Sequence, residues 1–459
     1  MNERPLYSAM STNMMLEAPA RRSPRDSGFD GLSPAERLER RRYESVTTGF
    51  VRVALVATGF NFVVFRGITA GMLMALASIP LWIGSIRRYT LGVTISALAF
   101  LSIPSGYLLA QRSAVDHIVD QVAQTTWFWL LLSGVAALAL VLWARERLPL
   151  HEVILLYAIG AVANAVLFSA RSWKFDLAVP VILLVLSIVE RQANRMLPVF
   201  AVLALGLYSV INDGRSLLGF CALAAMLTMW QIPSVSSEGG RRSRWKPALV
   251  VGAAAVGFYM VVSSMLTAGV FGAELQQRSV AQVESSGSLI AGGRPEWSAT
   301  RELLKLRPMG YGTGVVPGWQ DVRAGKAGFQ SINVEADGYI ERFLLGKGFE
   351  LHSIVSDLWV SFGWVGVALA GVMLVAFVRS MAFRLSDRDA PTSVLFACTL
   401  GIWYLMFGTI YGNWLEVCVA LGFGMVPRLV PDSVDSSGPD SGLGHDMPAG
   451  SVGRSGTRG

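Results

Sequence analysis

The chain has 459 residues, of which 53% are hydrophobic and only 15% charged, and its formal net charge is +7. A soluble domain carries about 25% charged residues, so this composition excludes an ordinary soluble enzyme and indicates a chain that lies mostly in lipid. The positive charge would favour nucleic-acid binding in a soluble protein. Here it marks short arginine-rich loops between long apolar stretches, and we expect no nucleic-acid partner.

The first segment, residues 1–46, is polar and basic and is predicted to be a mostly disordered cytoplasmic tail. Within it, Ser33-Pro34-Ala35-Glu36 predicts the start of a short basic helix on the anionic cytoplasmic leaflet. The last segment, residues 431–459, is rich in Gly, Ser, Pro and Asp. This composition predicts a second disordered cytoplasmic tail.

The apolar stretches between the tails predict an all-α polytopic membrane protein with about twelve transmembrane helices, because one helical span needs about 20 apolar residues. Nine spans are predicted within 47–271 and three within 353–430, and residues 272–352 are predicted to form one large extracytoplasmic loop. The predicted spans lie near 48–65, 67–86, 90–110, 127–143, 150–170, 175–190, 196–211, 216–233, 247–271, 353–378, 392–411 and 413–429.

The distribution of basic residues predicts the orientation. With the N-terminus inside, the inner loops hold thirteen Arg and Lys residues and the short outer loops hold five. Short loops rich in Arg and Lys stay in the cytoplasm, whereas long loops cross largely regardless of charge. We therefore expect a multi-pass protein of the cell inner (plasma) membrane with both termini cytoplasmic.

The cysteines and histidines give no pattern typical of a metal site. Cys221, Cys398 and Cys418 lie in apolar spans without a Cys-x-x-Cys pair, and no two of the four histidines have ligand spacing. We expect no metal and no cofactor.

Arg215 is the first candidate for chemistry, because it opens the predicted eighth span at its outer end. A helix N-terminus favours anions, and an arginine fork there matches phosphate oxygens. The alternative is an interfacial arginine that pairs with Asp213.

His352 is the second candidate, at the point where the long loop enters the tenth span. The positive end of a helix disfavours imidazolium, and a neutral imidazole can accept a proton from a sugar hydroxyl. Glu350 is predicted to orient the other ring nitrogen. The alternative is a loop histidine that only caps the helix.

Two further motifs lie in the long loop. Gly292-Gly293-Arg294-Pro295-Glu296-Trp297 carries a cation and an aromatic ring, and Pro308-Met309-Gly310-Tyr311-Gly312-Thr313-Gly314 has glycines at alternate positions. Such glycines let a backbone pass close to a ligand, and a tight turn is the alternative.

A last outer loop carries Arg171-Ser172-Trp173-Lys174. Arg171 is a candidate second contact to pyrophosphate, with Trp173 stacking on a sugar ring. The alternative for Trp173 is an interfacial anchor.

These motifs lie over roughly residues 195–380. Their order and their placement relative to the membrane resemble those of the O-antigen ligase and O-antigen polymerase family of polytopic membrane glycosyltransferases. The pieces are Arg215-Ser216, Arg294 with Trp297, Pro308 through Gly314, His352-Ser353, and Gly363-Trp364-Val365-Gly366. The chain departs from the family pattern in reading Gly214-Arg215-Ser216 where Ser-Arg-Gly is more usual, and in the short spacing between Arg294 and Trp297.

The resemblance implies a GT-C-like fold and glycan transfer from an undecaprenyl-pyrophosphate donor to a sugar hydroxyl at the outer face, without metal and with inversion. It implies that His352 and Arg215 are catalytic, and that a substrate-binding set surrounds them, namely Arg294, Trp297, Arg171, Gly310, Gly312, Gly314 and Glu350. The expected partners are the lipid-linked oligosaccharide donor, a glycan acceptor, membrane lipids and other polysaccharide assembly proteins. Polymerase and ligase both fit.

A transporter or flippase of lipid-linked saccharides is the alternative from another class. It predicts ionisable residues around a midplane cavity. Few charges lie inside the predicted spans, which favours chemistry at the membrane rim.

Overall fold

A computed structural model describes residues 34–428 with gaps. The gaps are 66, 170–171, 213, 233–251, 254–272 apart from residues 257, 260 and 264, 287–293 and 336–337. The tail up to residue 33, most of the span predicted at 247–271 and the C-terminal tail therefore lie outside the described residues, as does Arg171.

The described part is mostly helical, with one small hairpin. Its elements are α1 (Pro34–Phe60), β1 (Val63–Phe65), β2 (Ile68–Thr69), α2 (Ala70–Ala77), α3 (Ile79–Arg88), α4 (Gly92–Ser113), α5 (Gln121–Arg145), α6 (Leu150–Phe168), α7 (Ala178–Val189), α8 (Leu197–Ile211), α9 (Arg215–Gln231), α10 (Ala273–Ser286), α11 (Glu296–Leu306), α12 (Trp319–Gln330), α13 (Ile354–Asp387), α14 (Thr392–Phe407) and α15 (Ile410–Gly424). Single π-helical turns cover Trp173–Leu177 and Ile340–Leu344.

Four described helices, α4, α5, α6 and α13, are each long and apolar enough to cross a membrane. The pair α2 and α3 would make a fifth crossing, broken by a bend of 87°. Helices α8, α9 and α14 are apolar but shorter. These helices support an all-α membrane protein, and the count of twelve spans stays a prediction.

The start of the chain differs from the sequence prediction in two places. Helix α1 runs unbroken from Pro34 to Phe60, so the short basic helix and the first span are one helix. That helix ends before residue 65, because Asn61 adopts a left-handed φ of 47° and the β1–β2 hairpin follows. The second span, predicted as continuous, is bent at Ser78, directly before the Ile79-Pro80 start of α3.

The loops predicted to be cytoplasmic gather at one end of the helix bundle, which we call the basic end. Arg88 forms an ion pair with Glu146 there at 3.3 Å. Arg145 donates to the carbonyl oxygens of Gly422 and Met425 at 2.7 and 2.6 Å. Arg384 donates to the carbonyl oxygen of Gly424 at 3.1 Å. Two arginines thus satisfy carbonyls at the C-terminus of α15 that have no partner within the helix.

The opposite end of the bundle, which we call the loop end, carries residues 294–352. Tyr311 is fully buried there, and its carbonyl accepts a hydrogen bond from Ser113 at the end of α4. Leu303, Phe329 and Leu344 form a second hydrophobic core around it, distinct from the core between the membrane helices. The long loop is therefore a packed unit seated on the bundle.

A glycine turn joins this unit to the bundle, and α13 is kinked to receive it. Gly363 interrupts α13 with φ 64°. The kink leaves the carbonyl of Val360 free of its helical partner, and the N–H groups of Tyr311 and Gly312 donate to it at 2.8 and 2.9 Å. A Cβ on Gly312 would lie 2.1 Å from the backbone nitrogen of Ala110, so no larger residue fits. The glycine turn of residues 308–314 and the kink at Gly363 are thus the two sides of one contact.

Candidate functional site

His352 sits in a strained turn that α13 and α15 hold in place. Its φ is 50°, in the left-handed region that costs a residue with a side chain about 1–2 kcal/mol. The preceding N–H, of Leu351, donates to the buried carboxylate of Asp357 at 2.7 Å, and the other oxygen of Asp357 accepts from the N–H of Ile410 at 3.1 Å. Ser353 caps α13, so capping is not the role of His352.

One nitrogen of the His352 ring is engaged by a tyrosine and a glutamate. The Nδ1 atom lies 2.8 Å from the hydroxyl of Tyr339, and that hydroxyl donates to Oε1 of Glu296 at 2.9 Å. Nδ1 also lies 3.5 Å from Oε1 of Glu296. Among the described residues, none bonds Nε2, and the side chain is 23% exposed.

This arrangement fixes the tautomer of the imidazole. An ionised carboxylate only accepts hydrogen bonds, so the Tyr339 hydroxyl must donate to Glu296. The tyrosine oxygen is then the acceptor for Nδ1–H. The lone pair of His352 therefore lies on Nε2, the nitrogen that no described residue occupies, which is the form that a general base needs.

The electrostatics of Glu296 agree with an ionised partner. Burial by itself raises the pKa of this carboxyl, but hydrogen bonds from His352, from its own backbone and from Tyr339 outweigh burial and hold the pKa below its ordinary value. Burial and the neighbouring Glu296 raise the pKa of Tyr339, so the phenol stays protonated. The second oxygen of Glu296 is buried and has no hydrogen-bond partner among the residues that the structure describes.

Arg294 lies beside this group on an aromatic platform. Its guanidinium is 5.4 Å from the ring centroid of Trp403 and 5.7 Å from that of Phe407, both on α14. Arg294 also acts electrostatically on Tyr339. Trp297 donates its indole N–H to the carbonyl of Met406, which anchors α11 to the end of α14. The cation of the predicted Arg-Trp motif is thus placed near the imidazole, while the tryptophan anchors the helix.

Arg215 starts α9 as predicted, and its side chain lies outside the described residues. The backbone position follows from the next turn of the helix. The ring of Phe220 packs against Trp403 at 5.3 Å, the same ring that lies under Arg294. Five residues of helix rise about 7.5 Å, so the N-terminus of α9 lies at the loop end, one turn beyond the Trp403 platform.

The segment after Arg171 is part of the fold. The indole N–H of Trp173 donates to the hydroxyl of Ser209 at 3.0 Å, and its ring packs edge-on against Tyr208 at 4.6 Å. Trp173 thus ties this loop to the end of α8, two residues before the turn that leads to α9. Trp173 is half-buried, and its stacking on a sugar ring stays a prediction.

Glu350 does not orient His352, contrary to the sequence prediction. Within the described part of the chain, its carboxylate makes no hydrogen bond to the ring, and the orienting carboxylate is Glu296. The glycines pack closely against the protein itself, as a tight turn requires, and their contact with a ligand stays a prediction. Cβ atoms on Gly310 and Gly314 would lie 2.5 and 2.4 Å from the carbonyl oxygens of Trp359 and Asp120, so these glycines allow close packing of the turn.

Sequence reasoning missed three residues of the site. Glu296 stands in the same motif as Arg294 and Trp297, and its place in that motif was the available signal. Tyr339 gave no signal, because only the folded loop brings it to His352. Asp357 lies in the first turn of α13, and its hydrogen bond to the N–H of Leu351 is visible only in the folded turn.

Compared with models of protein families, with curated proteins and with solved structures, the chain matches none.

Proposed function

We propose that this chain is a membrane glycosyltransferase that moves a glycan from an undecaprenyl-pyrophosphate carrier to a sugar hydroxyl at the outer face of the inner membrane. The proposal rests on one observation: a histidine at the loop end has a tyrosine and a buried glutamate on Nδ1 and a free Nε2. The reaction would serve O-antigen, capsule or exopolysaccharide assembly, as polymerase or ligase.

The proposed step needs a base for the acceptor. Nε2 of His352 takes the proton of the acceptor hydroxyl as the oxygen attacks the anomeric carbon. The imidazolium that forms keeps its Nδ1–H bond to Tyr339, and the negative charge of Glu296 at 3.5 Å stabilises it. Attack from the side opposite the leaving group inverts the anomeric centre.

The same step needs positive charge for the leaving group. The bond between the anomeric carbon and the phosphate oxygen breaks, and undecaprenyl pyrophosphate departs with the electron pair. We assign two cations to stabilise the negative charge on the departing pyrophosphate: Arg294 on its aromatic platform and Arg215 at the start of α9. Placed cations aimed at a developing anion are an efficient way to lower such a barrier.

Complementation tests this function. Deletion of the gene should leave short lipid-linked units if the protein is a polymerase, and free lipid-linked polymer if it is a ligase, on glycan gels. Variants H352A, R215A and R294Q should fail to restore the polymer while still inserting in the membrane. The matched control is H151A, at the basic end, which should restore it. Unchanged glycans after deletion, or full rescue by H352A, would refute the proposal.

A transporter or flippase of lipid-linked saccharides is the second candidate. Its specific support is Glu416, an ionisable residue halfway along α15, which lines a cavity with Tyr157 and Tyr404. That cavity has about 30 Å³, room for a water or two and not for a saccharide. Reconstituted protein separates the candidates: translocation of a labelled lipid-linked saccharide without bond cleavage favours the transporter.

A further inference from the structure

A cavity at the loop end is lined by residues 347–350, which precede His352 in the chain. It has about 280 Å³, close to the lower limit of small-molecule sites at about 300 Å³. The N-terminus of α5, the glycine turn, the segment 347–350 and the start of α15 enclose it. Its polar side chains are Asp120, Thr126, Lys347, Glu350, Ser361 and Tyr411.

We propose that this cavity binds one sugar residue of the acceptor glycan, with Glu350 and Lys347 as its main polar contacts. This inference rests on the proposed function and adds to it the place of the acceptor. The role of Glu350 is then to contact the sugar in the cavity and not to orient the His352 ring.

The polar groups around the cavity are available to a ligand. Within the part of the chain that the structure describes, the side chains of Lys347, Glu350 and Tyr411 have no hydrogen-bond or ion-pair partner. Asp120 uses one carboxylate oxygen to cap α5, by accepting from the N–H groups of Val122 and Ala123, and keeps the other. Lys347, Asp120 and Tyr411 are exposed and Glu350 is half-buried, so their free polar atoms can contact a polar ligand directly.

The charges select a neutral, hydroxyl-rich ligand. Two carboxylates, Asp120 and Glu350, face one ammonium, Lys347, which disfavours a phosphate or another anion. Carboxylates accept from sugar hydroxyls and an ammonium donates to them. Tyr411 is 41% exposed and packs on Trp127 at 5.1 Å, so its ring offers an apolar face to a sugar ring.

The position fits an acceptor better than a donor. Glu350 precedes His352 by two residues, so their Cα atoms are at most about 7 Å apart. His352 itself contacts Glu296 and Tyr339, which adjoin Arg294, the cation assigned to the pyrophosphate. The base would thus adjoin both the segment that lines the cavity and the group that holds the cation for the leaving group.

Purified protein in nanodiscs tests the assignment. The probe is the lipid-free repeat unit, released by mild acid from the polysaccharide of the producing strain, and its binding is measured by saturation-transfer NMR and calorimetry. The variants are E350Q and K347Q, and the matched control is E335Q, an exposed loop glutamate away from the cavity. Because a charged hydrogen bond to a hydroxyl is lost, E350Q should weaken binding at least about ten-fold.

Kinetics with the same variants separate this proposal from the proposed function. E350Q and K347Q should raise the acceptor KM about ten-fold with little change in kcat or donor KM, and E335Q should behave as wild type. Transfer with an unchanged acceptor KM in both variants would overturn the cavity and leave the function standing. Repeat-unit binding that depends on Glu350, with no transfer by wild type, would overturn the function and leave a saccharide site. Absence of binding to the wild-type protein at millimolar probe would overturn the cavity.

Discussion

Two histidines lie at the loop end, and their surroundings differ in one decisive respect. His117 faces carboxylate oxygens with both ring nitrogens: Asp116 lies 2.9 Å from Nδ1 and Asp321 lies 2.8 Å from Nε2. Its side chain is only 9% exposed. Among the described residues, His352 is bonded on Nδ1 alone. Carboxylates on both ring nitrogens leave His117 no nitrogen for a substrate hydroxyl, whereas Nε2 of His352 can take a proton.

His117 belongs to a polar cluster that fastens the glycine turn to the end of α4. Asp321 also accepts from the hydroxyl of buried Tyr311 at 2.8 Å. Arg307 pairs with Asp116 and lies over the Tyr311 ring at 5.3 Å. The comparison therefore indicates a structural role for His117 and supports the proposed role of His352 as a base.

The largest expected effect is on transfer by H352A. Loss of a general base lowers a rate by about 10²–10⁴-fold. We expect that loss in kcat, measured with lipid-linked donor in nanodiscs, and an unfolding temperature close to wild type. A variant H117A with the larger rate loss per folded molecule would reverse the comparison.

A smaller rate loss is expected for E296Q. The amide can donate to Tyr339 and so removes both the orientation of Nδ1–H and the charge that stabilises imidazolium. Loss of such an outer partner costs about 10–100-fold, and kcat is the quantity to measure. The control is E302Q on the same helix, where Glu302 pairs with exposed Lys305 at 2.6 Å. Equal activity of E296Q and wild type would mean that the tautomer argument is wrong.

The next effect is on stability and involves H117F. The substitution leaves the buried carboxylate of Asp321 with one partner fewer, which costs about 1–3 kcal/mol. We expect a lower midpoint in chemical or thermal unfolding and a rate per folded molecule within about two-fold of wild type. A stable H117F protein with no transfer would show that this cluster takes part in the reaction.

The smallest effect is the acid dependence of stability. The His117 hydrogen bond lowers the pKa of Asp116, and the pKa of Glu296 lies below its ordinary 4.5. A carboxyl with a lowered folded pKa contributes stability above its ordinary pKa, and that contribution is lost as the pH falls through the folded value. The difference in unfolding midpoint between wild type and E296Q should therefore be constant near neutrality and shrink below about pH 4.5. A difference that grows with acid would contradict the ionised form of Glu296.

The positions of the helices could be predicted closely from the sequence, because an apolar stretch long enough to cross a bilayer can adopt few other structures in lipid. The predicted starts and ends of α4, α6, α8, α9, α14 and α15 agree with the structure to within a few residues. The bend at Ser78 and the kink at Gly363 were not predicted, since both depend on what packs against the helix. For Gly363 that neighbour is the carbonyl of Met309, 2.5 Å from where a Cβ would be.

The site was predicted only where a residue acts through its place in the chain. His352 before a helix and Arg215 at the start of one are visible as sequence positions. Glu296 and Tyr339 reach His352 from distant positions in the chain, 56 positions away for Glu296. Asp357 accepts from the N–H of Leu351, which lies 6 positions before it. Local patterns carry no record of such contacts, so Glu350, the nearest carboxylate in sequence, was assigned the role of Glu296.

The shared carboxylate of Asp357 has a consequence for how the protein is made. One oxygen steadies the turn that presents the imidazole, and the other holds the first N–H of α15. During synthesis, α13 is made some fifty residues ahead of α15, and until that later helix docks one oxygen of the carboxylate lacks its partner. The turn that carries the imidazole thus acquires its final geometry only when α15 has docked, so the proposed reaction centre is completed late in the synthesis of the chain.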